Sequence, residues 1–184
     1  MMPTLKTKRL TLRPFTLEDS ATVQKLAGDK EISSTTLNIP YPYEDGVAQI
    51  WISNHEEKFE KKEELVLAIT NKTNKNIMGA VGLKINKDFN NAELGYWIGK
   101  EFWNNGYATE ASEKIIDFGF NKLMLNKIHA HYLVINKASG KVMDKVGMHQ
   151  EGYLKQHVVK DGTYHDIIQY GILRDNYIKK VKNG

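Results

Sequence analysis

The segment from Phe102 to Ala111 constrains the fold of this chain most, because it joins a predicted strand, residues 92–99, to an amphipathic helix through a turn that contains Gly106. A helix start presents backbone N–H groups with no partner inside the helix, and the aligned peptide dipoles add about half a positive charge there. Gly106 permits close approach of a ligand to the backbone, and the small Ala108 does little to obstruct it. The segment predicts a pyrophosphate site built from amides, with an ordinary strand-to-helix turn as the alternative.

Apolar and small side chains recur after Gly106 at three- and four-residue intervals and predict one buried helical stripe. They are Ala108, Ala111, Ser112, Ile115, Ile116, Gly119 and Leu123. No Gly-x-Gly-x-x-Gly follows a strand, and no Gly-x-x-x-x-Gly-Lys-Ser/Thr occurs in the sequence. These absences disfavour a dinucleotide-binding fold and a nucleotide triphosphatase.

Length, charge and cysteine content limit the class of protein. The 184 residues fit one domain, residues 1–184, and the absence of cysteine excludes disulfides and thiolate zinc sites. The first residues lack the apolar core of a signal peptide, and no apolar run approaches the roughly 20 residues that span a bilayer. A net charge of +4 is mild. We therefore expect a cytoplasmic protein with neither a membrane nor a nucleic acid as a direct partner.

The hydrophobic periodicity predicts an alternation of strands and helices. Strands are predicted at residues 9–13, 65–70, 77–85, 92–99, 127–135, 151–159 and 164–173, and helices at about 17–27, at about 44–62, from 106 onward and at about 137–145. The Asp161-Gly162 step is a strong hairpin signal between the last two strands. This order predicts a mixed sheet covered by helices, with an antiparallel final hairpin.

Three local patterns accompany this order of elements. The first is residues 7–14 with 17–19, the second is residues 92–98 with 103–111, and the third is residues 136–139 and 144–148 with Glu151 and Gly152, followed by Gly162, Tyr164, His165 and Asp166. Together with the element order they resemble the GNAT superfamily of acetyl-CoA-dependent N-acetyltransferases, and within it the ribosomal-protein branch. The resemblance covers nearly the whole chain.

The resemblance implies a fold and a cofactor site. The fold is an α/β (α+β) GNAT-type domain, in which a mixed, mostly antiparallel central sheet of about seven strands, flanked by about four helices, splays between its fourth and fifth strands. Acetyl-CoA would bind with its pantetheine arm along the strand at Trp97 and Ile98, and Asn136 would orient pantetheine amides or cap the following helix. The pyrophosphate would lie on the segment Trp103, Asn104, Asn105, Gly106, Tyr107, Ala108 and Thr109.

Three positions depart from the family pattern. Trp103 stands where the superfamily usually has Gln or Arg, and Asn104 stands where this branch often has Gly; both can act through backbone amides. Many members carry a Tyr general acid where this chain has Met143. Ser139 is therefore the candidate for a hydrogen bond to the thiolate sulfur, or it satisfies backbone donors at the helix start.

Glu93 is the predicted general base, because it matches a strand glutamate that some members use. The alternative for Glu93 is a solvated residue or a salt-bridge partner. An α-amine with a pKa near 8 is easily deprotonated at neutral pH, whereas a lysine near 10.4 costs roughly 3 kcal/mol more. No metal is expected, because His129 and His131 share one strand face without a third ligand.

The resemblance implies direct transfer of acetyl from coenzyme A to a primary amine, without an acyl-enzyme. The acceptor most like that of the matching branch is the N-terminal α-amine of a ribosomal protein. Two alternatives stay open: an acetyltransferase for polyamines, aminoglycosides or similar small amines, and an acyl-CoA-binding module without catalysis. A homodimer is an open question at this stage.

Overall fold

One eight-stranded sheet with helices on both faces forms the fold. The structure is a computed structural model that describes residues 1–183 and the side chains of residues 1–179. The strands are β1 (Leu5–Lys6), β2 (Leu10–Arg13), β3 (Glu64–Asn71), β4 (Ile77–Asn86), β5 (Asn91–Ile98), β6 (Lys127–Leu133), β7 (His149–Lys160) and β8 (Thr163–Leu173). The α-helices in the described residues are α1 (Ser20–Ala27), α2 (Lys30–Thr35), α3 (Val47–Ser53), α4 (His55–Glu60), α5 (Tyr107–Asn121), α6 (Lys137–Val146) and α7 (Arg174–Asn183).

The sheet is mixed and mostly antiparallel, as predicted. Its order is β1-β2-β3-β4-β5-β6-β8-β7, and within residues 1–183 only β5 and β6 pair in parallel. The final hairpin is antiparallel, and its turn residues Asp161 and Gly162 have φ values of 50° and 73°. Positive φ at both central positions is the geometry that an Asp-Gly step favours, so the hairpin prediction is confirmed.

Two apolar layers cover the sheet. The larger cluster joins α5 and α6 to one face, here called the α5 face, and includes Leu94, Ile115 and Met143. A smaller cluster joins α1 and α3 to the other face, here called the α1 face, and includes Val23, Ala48 and the partly buried Trp97. Because both faces are covered, β3 is buried at six consecutive positions, residues 65–70, rather than at alternate ones.

The described residues hold seven α-helices where about four were predicted. The predicted helix at 44–62 is interrupted at Asn54, whose side-chain Nδ2 donates to Ile50 O at 2.8 Å and so competes for a helical carbonyl. Helix α2 begins where Asp29 accepts the Glu31 amide at 2.8 Å, and α7 follows β8 directly. None of the helices in the described part of the chain is long and apolar enough to cross a membrane.

Candidate active site

An opening in the sheet separates β5 from β6. The parallel ladder between them covers only residues 91–93 and 127–129. Beyond it, β5 stays paired with β4 and β6 stays paired with β8, so that the two inner edges diverge. The splay was predicted between the fourth and fifth strands. Because the short strand Leu5–Lys6 precedes them, these two strands are β5 and β6 in the structure, and the opening lies between them.

The backbone of β5 offers polar groups to this opening. Gly99 N–H donates to Met78 O on β4, whereas Asn90 O, on the other edge, accepts from Asn126 N–H. Because polar groups alternate between the two edges of a strand, the odd-numbered Trp97 is directed to β4, and the even-numbered Tyr96 and Ile98 are directed to the opening. Of the two residues predicted for the pantetheine arm, Ile98 therefore faces the opening with its backbone and Trp97 does not.

Trp103 fixes the end of this strand to the loop that follows. Its indole Nε1–H donates to Ile98 O at 2.6 Å. The bond satisfies a carbonyl at the edge of the opening, so Ile98 presents mainly its N–H there. The indole thus acts within the protein, while the backbone of Trp103 leads into the predicted pyrophosphate loop.

The loop at residues 103–106 leaves the start of α5 uncapped. Asn104 and Gly106 have φ values of 61° and 76°, and no side chain caps the helix at Gly106. Asn105 turns inward, since its Nδ2 donates to Trp103 O at 2.8 Å. The amides of Tyr107, Ala108 and Thr109, in the first turn of α5, have no intrahelical acceptor. This geometry fits an anionic group at the helix start.

Arg9, for which the sequence predicts no site role, contacts this loop from the turn between β1 and β2. Its Nε lies 2.6 Å from Glu110 Oε2, its Nη1 donates to Asn105 O at 2.9 Å, and its guanidinium lies 4.7 Å from the centre of the Tyr107 ring. Burial alone would raise the pKa of Glu110, but hydrogen bonds from Thr7 and Arg9 hold it below its usual value. Arg9 therefore holds the loop beside the uncapped helix start, while its own charge is balanced by Glu110.

On the α5 face of the opening, Ser139 meets a tyrosine. The Tyr96 hydroxyl lies 2.7 Å from Ser139 Oγ, so the hydrogen bond spans from β5 to α6. Burial raises the pKa of Tyr96 to about 12, which keeps the phenol protonated at neutral pH. Met143 is buried in the core cluster of this face. The sequence analysis named Ser139 but not Tyr96.

Asn136 lies at the start of α6 and joins that helix to α2. Its side-chain oxygen accepts the Ser139 amide at 3.2 Å, which is the capping role that the sequence analysis considered. Its Nδ2 also donates to Thr35 O at 3.1 Å. Lys160 holds the neighbouring Thr36 O at 2.6 Å, so the segment after α2 is fastened from two elements.

On the α1 face of the opening, Glu93 pairs with His131. His131 Nδ1 lies 3.0 Å from Glu93 Oε1, and both side chains are about one-third exposed. The hydrogen bond from His131 lowers the pKa of Glu93 although burial opposes the shift. Burial lowers the pKa of the neighbouring His129. In the described residues no group of three or more His, Cys, Asp or Glu side chains is arranged to hold a metal ion.

A cavity of about 370 Å³ lies at the opening and is lined by residues from both faces of the sheet. Its walls on the α5 face include Tyr96, Ser139 and Met143, and those on the α1 face include Glu93, His131, Trp97, Tyr43 and Trp51. Gly95 lies between Glu93 and Trp97 on the α1 face, and a Cβ built on Gly95 would have no atom within 4 Å. An unpaired strand edge, two hydroxyls and a carboxylate–imidazole pair therefore line one cavity.

Comparison with known proteins agrees with this geometry. The family described as acetyltransferase (GNAT) domain matches residues 9–149. An uncharacterized N-acetyltransferase, p20, from Bacillus licheniformis is 30% identical over 96% of this chain and 99% of its own. Spermidine N(1)-acetyltransferase from Vibrio cholerae is 25% identical over 94% of this chain and 98% of its own.

A solved structure extends the likeness of fold. The ribosomal L7/L12 α-N-protein acetyltransferase in complex with coenzyme A superposes with a TM-score of 0.85 over 95% of this chain and 99% of that one, at 16% identity. At this identity the likeness is one of fold.

Proposed function

This chain belongs to the GNAT acetyltransferase family and is an N-acetyltransferase that uses acetyl-CoA, and on that premise we propose that its acceptor is the α-amine at the N-terminus of a protein, as in ribosomal-protein acetylation. The observation that carries the proposal is the charge of the cavity. Its lining carboxylates in the described residues are Glu64 and Glu93, and each already has a partner.

The pairing of these carboxylates argues against a polyamine. Glu64 Oε2 lies 2.9 Å from Lys58 Nζ, and Glu93 is engaged by His131. Lys84 also lines the cavity and adds positive charge. A polyamine brings several ammonium groups, each of which needs an unpaired anionic or polar partner when it loses water. A protein N-terminus brings one amine, followed by uncharged backbone.

The aromatic end of the cavity supports a peptide acceptor. Tyr43, Trp51 and Trp97 line it together with the segment at residues 35–40, which follows α2. Aromatic rings provide large contact area to a first side chain without demanding charge. A protein N-terminus whose first residues are small or apolar suits these walls.

The edge of β5 and the loop that leads into α5 support the cofactor arrangement implied by the family. Amides in the segment Asn104, Asn105, Gly106, Tyr107, Ala108 and Thr109 are proposed to hold the pyrophosphate, and Arg9 is proposed to hold this segment in place through its bond to Asn105 O. The β5 edge at Tyr96 and Ile98 is proposed to pair with the pantetheine arm, where a backbone N–H can stabilise the developing oxyanion of the thioester. Acetyl-CoA supplies the activated acetyl group when bound.

The proton transfers are proposed to lie on opposite sides of the opening. Removal of the amine proton depends on Glu93, on the α1 face, and is modest in cost because an α-amine has a pKa near 8. Ser139, held by Tyr96 on the α5 face, is proposed to hydrogen-bond the departing thiolate. We also propose a cytoplasmic location, where acetyl-CoA and newly made proteins meet.

The acceptor is tested by measuring release of the coenzyme A thiol over a panel of amines. The panel holds a peptide with a free N-terminal serine and an internal lysine, the same peptide with its N-terminus acetylated, spermidine and an aminoglycoside. We expect kcat/KM for the free peptide to exceed that for spermidine at least about 10-fold, and no reaction with the blocked peptide. Preference for spermidine would establish the small-amine alternative. Binding of acetyl-CoA without release with any acceptor would establish a non-catalytic module.

A further inference from the structure

His131 is an imidazole that the acetyl-transfer scheme above leaves without a chemical role. It lies on β6 two residues beyond His129, which is the last residue paired with β5. The corresponding step along β5 leads from Glu93 to Gly95, so Gly95 is the residue across the opening from His131. Because Gly95 has no side chain and the space above it is empty within 4 Å, room for a substrate amine lies beside the imidazole.

The hydrogen bond to Glu93 determines which nitrogen of His131 is basic. An ionised carboxylate only accepts hydrogen bonds, so Nδ1, which lies 3.0 Å from Glu93 Oε1, carries the proton. The neutral ring then has its lone pair on Nε2. The side chain is 27% exposed and lines the cavity, so the ring is open to a substrate rather than sealed in the core.

We propose that His131 Nε2 accepts the proton of the acceptor ammonium group, and that Glu93 is the positioning residue that holds the ring in the reactive tautomer. The inference rests on the proposed function and names the base of that same site. One ammonium proton moves to Nε2 and then to solvent, the amine nitrogen forms its bond to the acetyl carbon, and the carbon–sulfur bond breaks. The second proton of the nitrogen ends on the thiolate.

The chemistry of the two groups favours this division of roles. A general base works best when its pKa lies near the operating pH. The pKa of Glu93 is lowered by its hydrogen bond from His131, which makes the carboxylate a weaker base and a better orienting group. An unperturbed imidazole is about 100-fold more basic than an unperturbed carboxylate.

Charged neighbours of this pair lie on every strand around it. A cross-strand row on the α1 face consists of Glu64, Lys84, Glu93 and His129, each directly opposite the next. Lys127 and Glu151 act on His129 from β6 and β7 with opposite effects. Lys84 lies opposite Glu93 on β4. Glu93 is the charged side chain that contacts His131 directly.

Kinetics as a function of pH on the full chain test the proposal. For the free-amine peptide at saturation, we expect wild-type kcat to rise with pH through one ionisation and then to level off. His131→Gln should lower kcat at pH 7 about 100-fold and abolish that ionisation, so that the rate rises with pH throughout. Glu93→Gln should keep the ionisation, move it to lower pH and lower kcat about 10-fold. His129→Gln, on the same strand and face, is the matched control and should stay within about twofold of wild type.

Two further measurements distinguish a base from a residue with a structural role. In His131→Ala, added imidazole should restore at least one-tenth of wild-type kcat, and a thermal melt with acetyl-CoA titration verifies that the variant folds and binds its donor. Nitrogen NMR of the ligand-free protein should show His131 protonated on Nδ1, and Glu93→Gln should reduce that preference. If Glu93→Gln removes the ionisation and His131→Gln retains it, His131 is not the base. If wild type acetylates no amine, the proposed function has failed instead.

Discussion

The donor and acceptor halves of the candidate active site are built in different ways. The donor half is mostly backbone, contributed by one continuous stretch from the end of β5 to the first turn of α5. The acceptor half is mostly side chains, brought together from α1, α3, β5 and β6 and the segment after α2. A site made of backbone groups depends on the backbone angles of a few neighbouring residues. A site made of side chains depends on packing and strand register over the whole fold. The two halves should therefore fail in different ways when the chain is changed.

The largest predicted effect is a loss of folding stability at acid pH, and it should originate at His55 on the acceptor side. His55 packs against Trp51, which lines the cavity, at 4.4 Å between ring centroids. Neither nitrogen of His55 has a hydrogen-bond partner among the described residues. Burial lowers its pKa from 6.5 to about 4. Between these values the unfolded chain binds a proton that the folded protein does not, so stability is complete above about pH 6.5 and falls as the pH drops toward 4.

Replacing His55 with Phe should remove this acid sensitivity. The gap between the two pKa values corresponds to up to about 3 kcal/mol of stability. Between pH 7 and pH 4, the free energy of unfolding should fall less in His55→Phe than in wild type, and the difference should be up to about 3 kcal/mol. Urea denaturation at both pH values measures it. His157→Gln, at an exposed position on β7, is the control and should follow wild type. An unchanged pH dependence in His55→Phe would mean that packing on the acceptor side tolerates charge.

The donor half should be broken by one backbone change. Gly106 has a φ of 76°, where a residue with a side chain costs about 1–2 kcal/mol and a β-branched residue fits worst. Gly106→Val should weaken acetyl-CoA binding about 10- to 30-fold by calorimetry, since it displaces the amides at the start of α5. Gly162→Val imposes the same strain at a φ of 73° in the β7–β8 turn, so it should reduce stability and leave the dissociation constant of acetyl-CoA within about twofold. Equal effects on binding from both variants would contradict a local backbone site.

The smallest effect should appear where the two halves meet. Tyr96→Phe removes the hydroxyl that lies 2.7 Å from Ser139 Oγ and leaves the ring in place. We expect kcat to fall about 10-fold, because Ser139 loses the partner that orients it, while the dissociation constant of acetyl-CoA stays within about twofold. Ser139→Ala should lower kcat by a similar factor, and the double variant should be no slower than Ser139→Ala alone. Additive losses would show that the two hydroxyls act separately.

The same contrast explains what could be predicted from the sequence. The strand, turn and helix around Gly106 are local in the chain, so spacing and residue type were enough to predict those elements, whereas the GNAT-type fold was predicted from the family resemblance. Arg9 contacts Asn105 and Glu110 about a hundred residues away, and no local pattern records that contact. The Tyr96–Ser139 and Glu93–His131 pairs depend on where β5 leaves β6, which is a property of strand register. Asn136 could be seen as a cap, but its bond to Thr35 could not.

Because the cavity is lined from both faces of the sheet, the two reactants could reach it from opposite sides. The thioester would enter along the edge of β5 and the nitrogen nucleophile from beneath the aromatic wall, so neither has to depart before the other arrives. Double-reciprocal plots at several fixed donor concentrations should then intersect rather than run parallel. The acetylated amine and coenzyme A could then leave in either order.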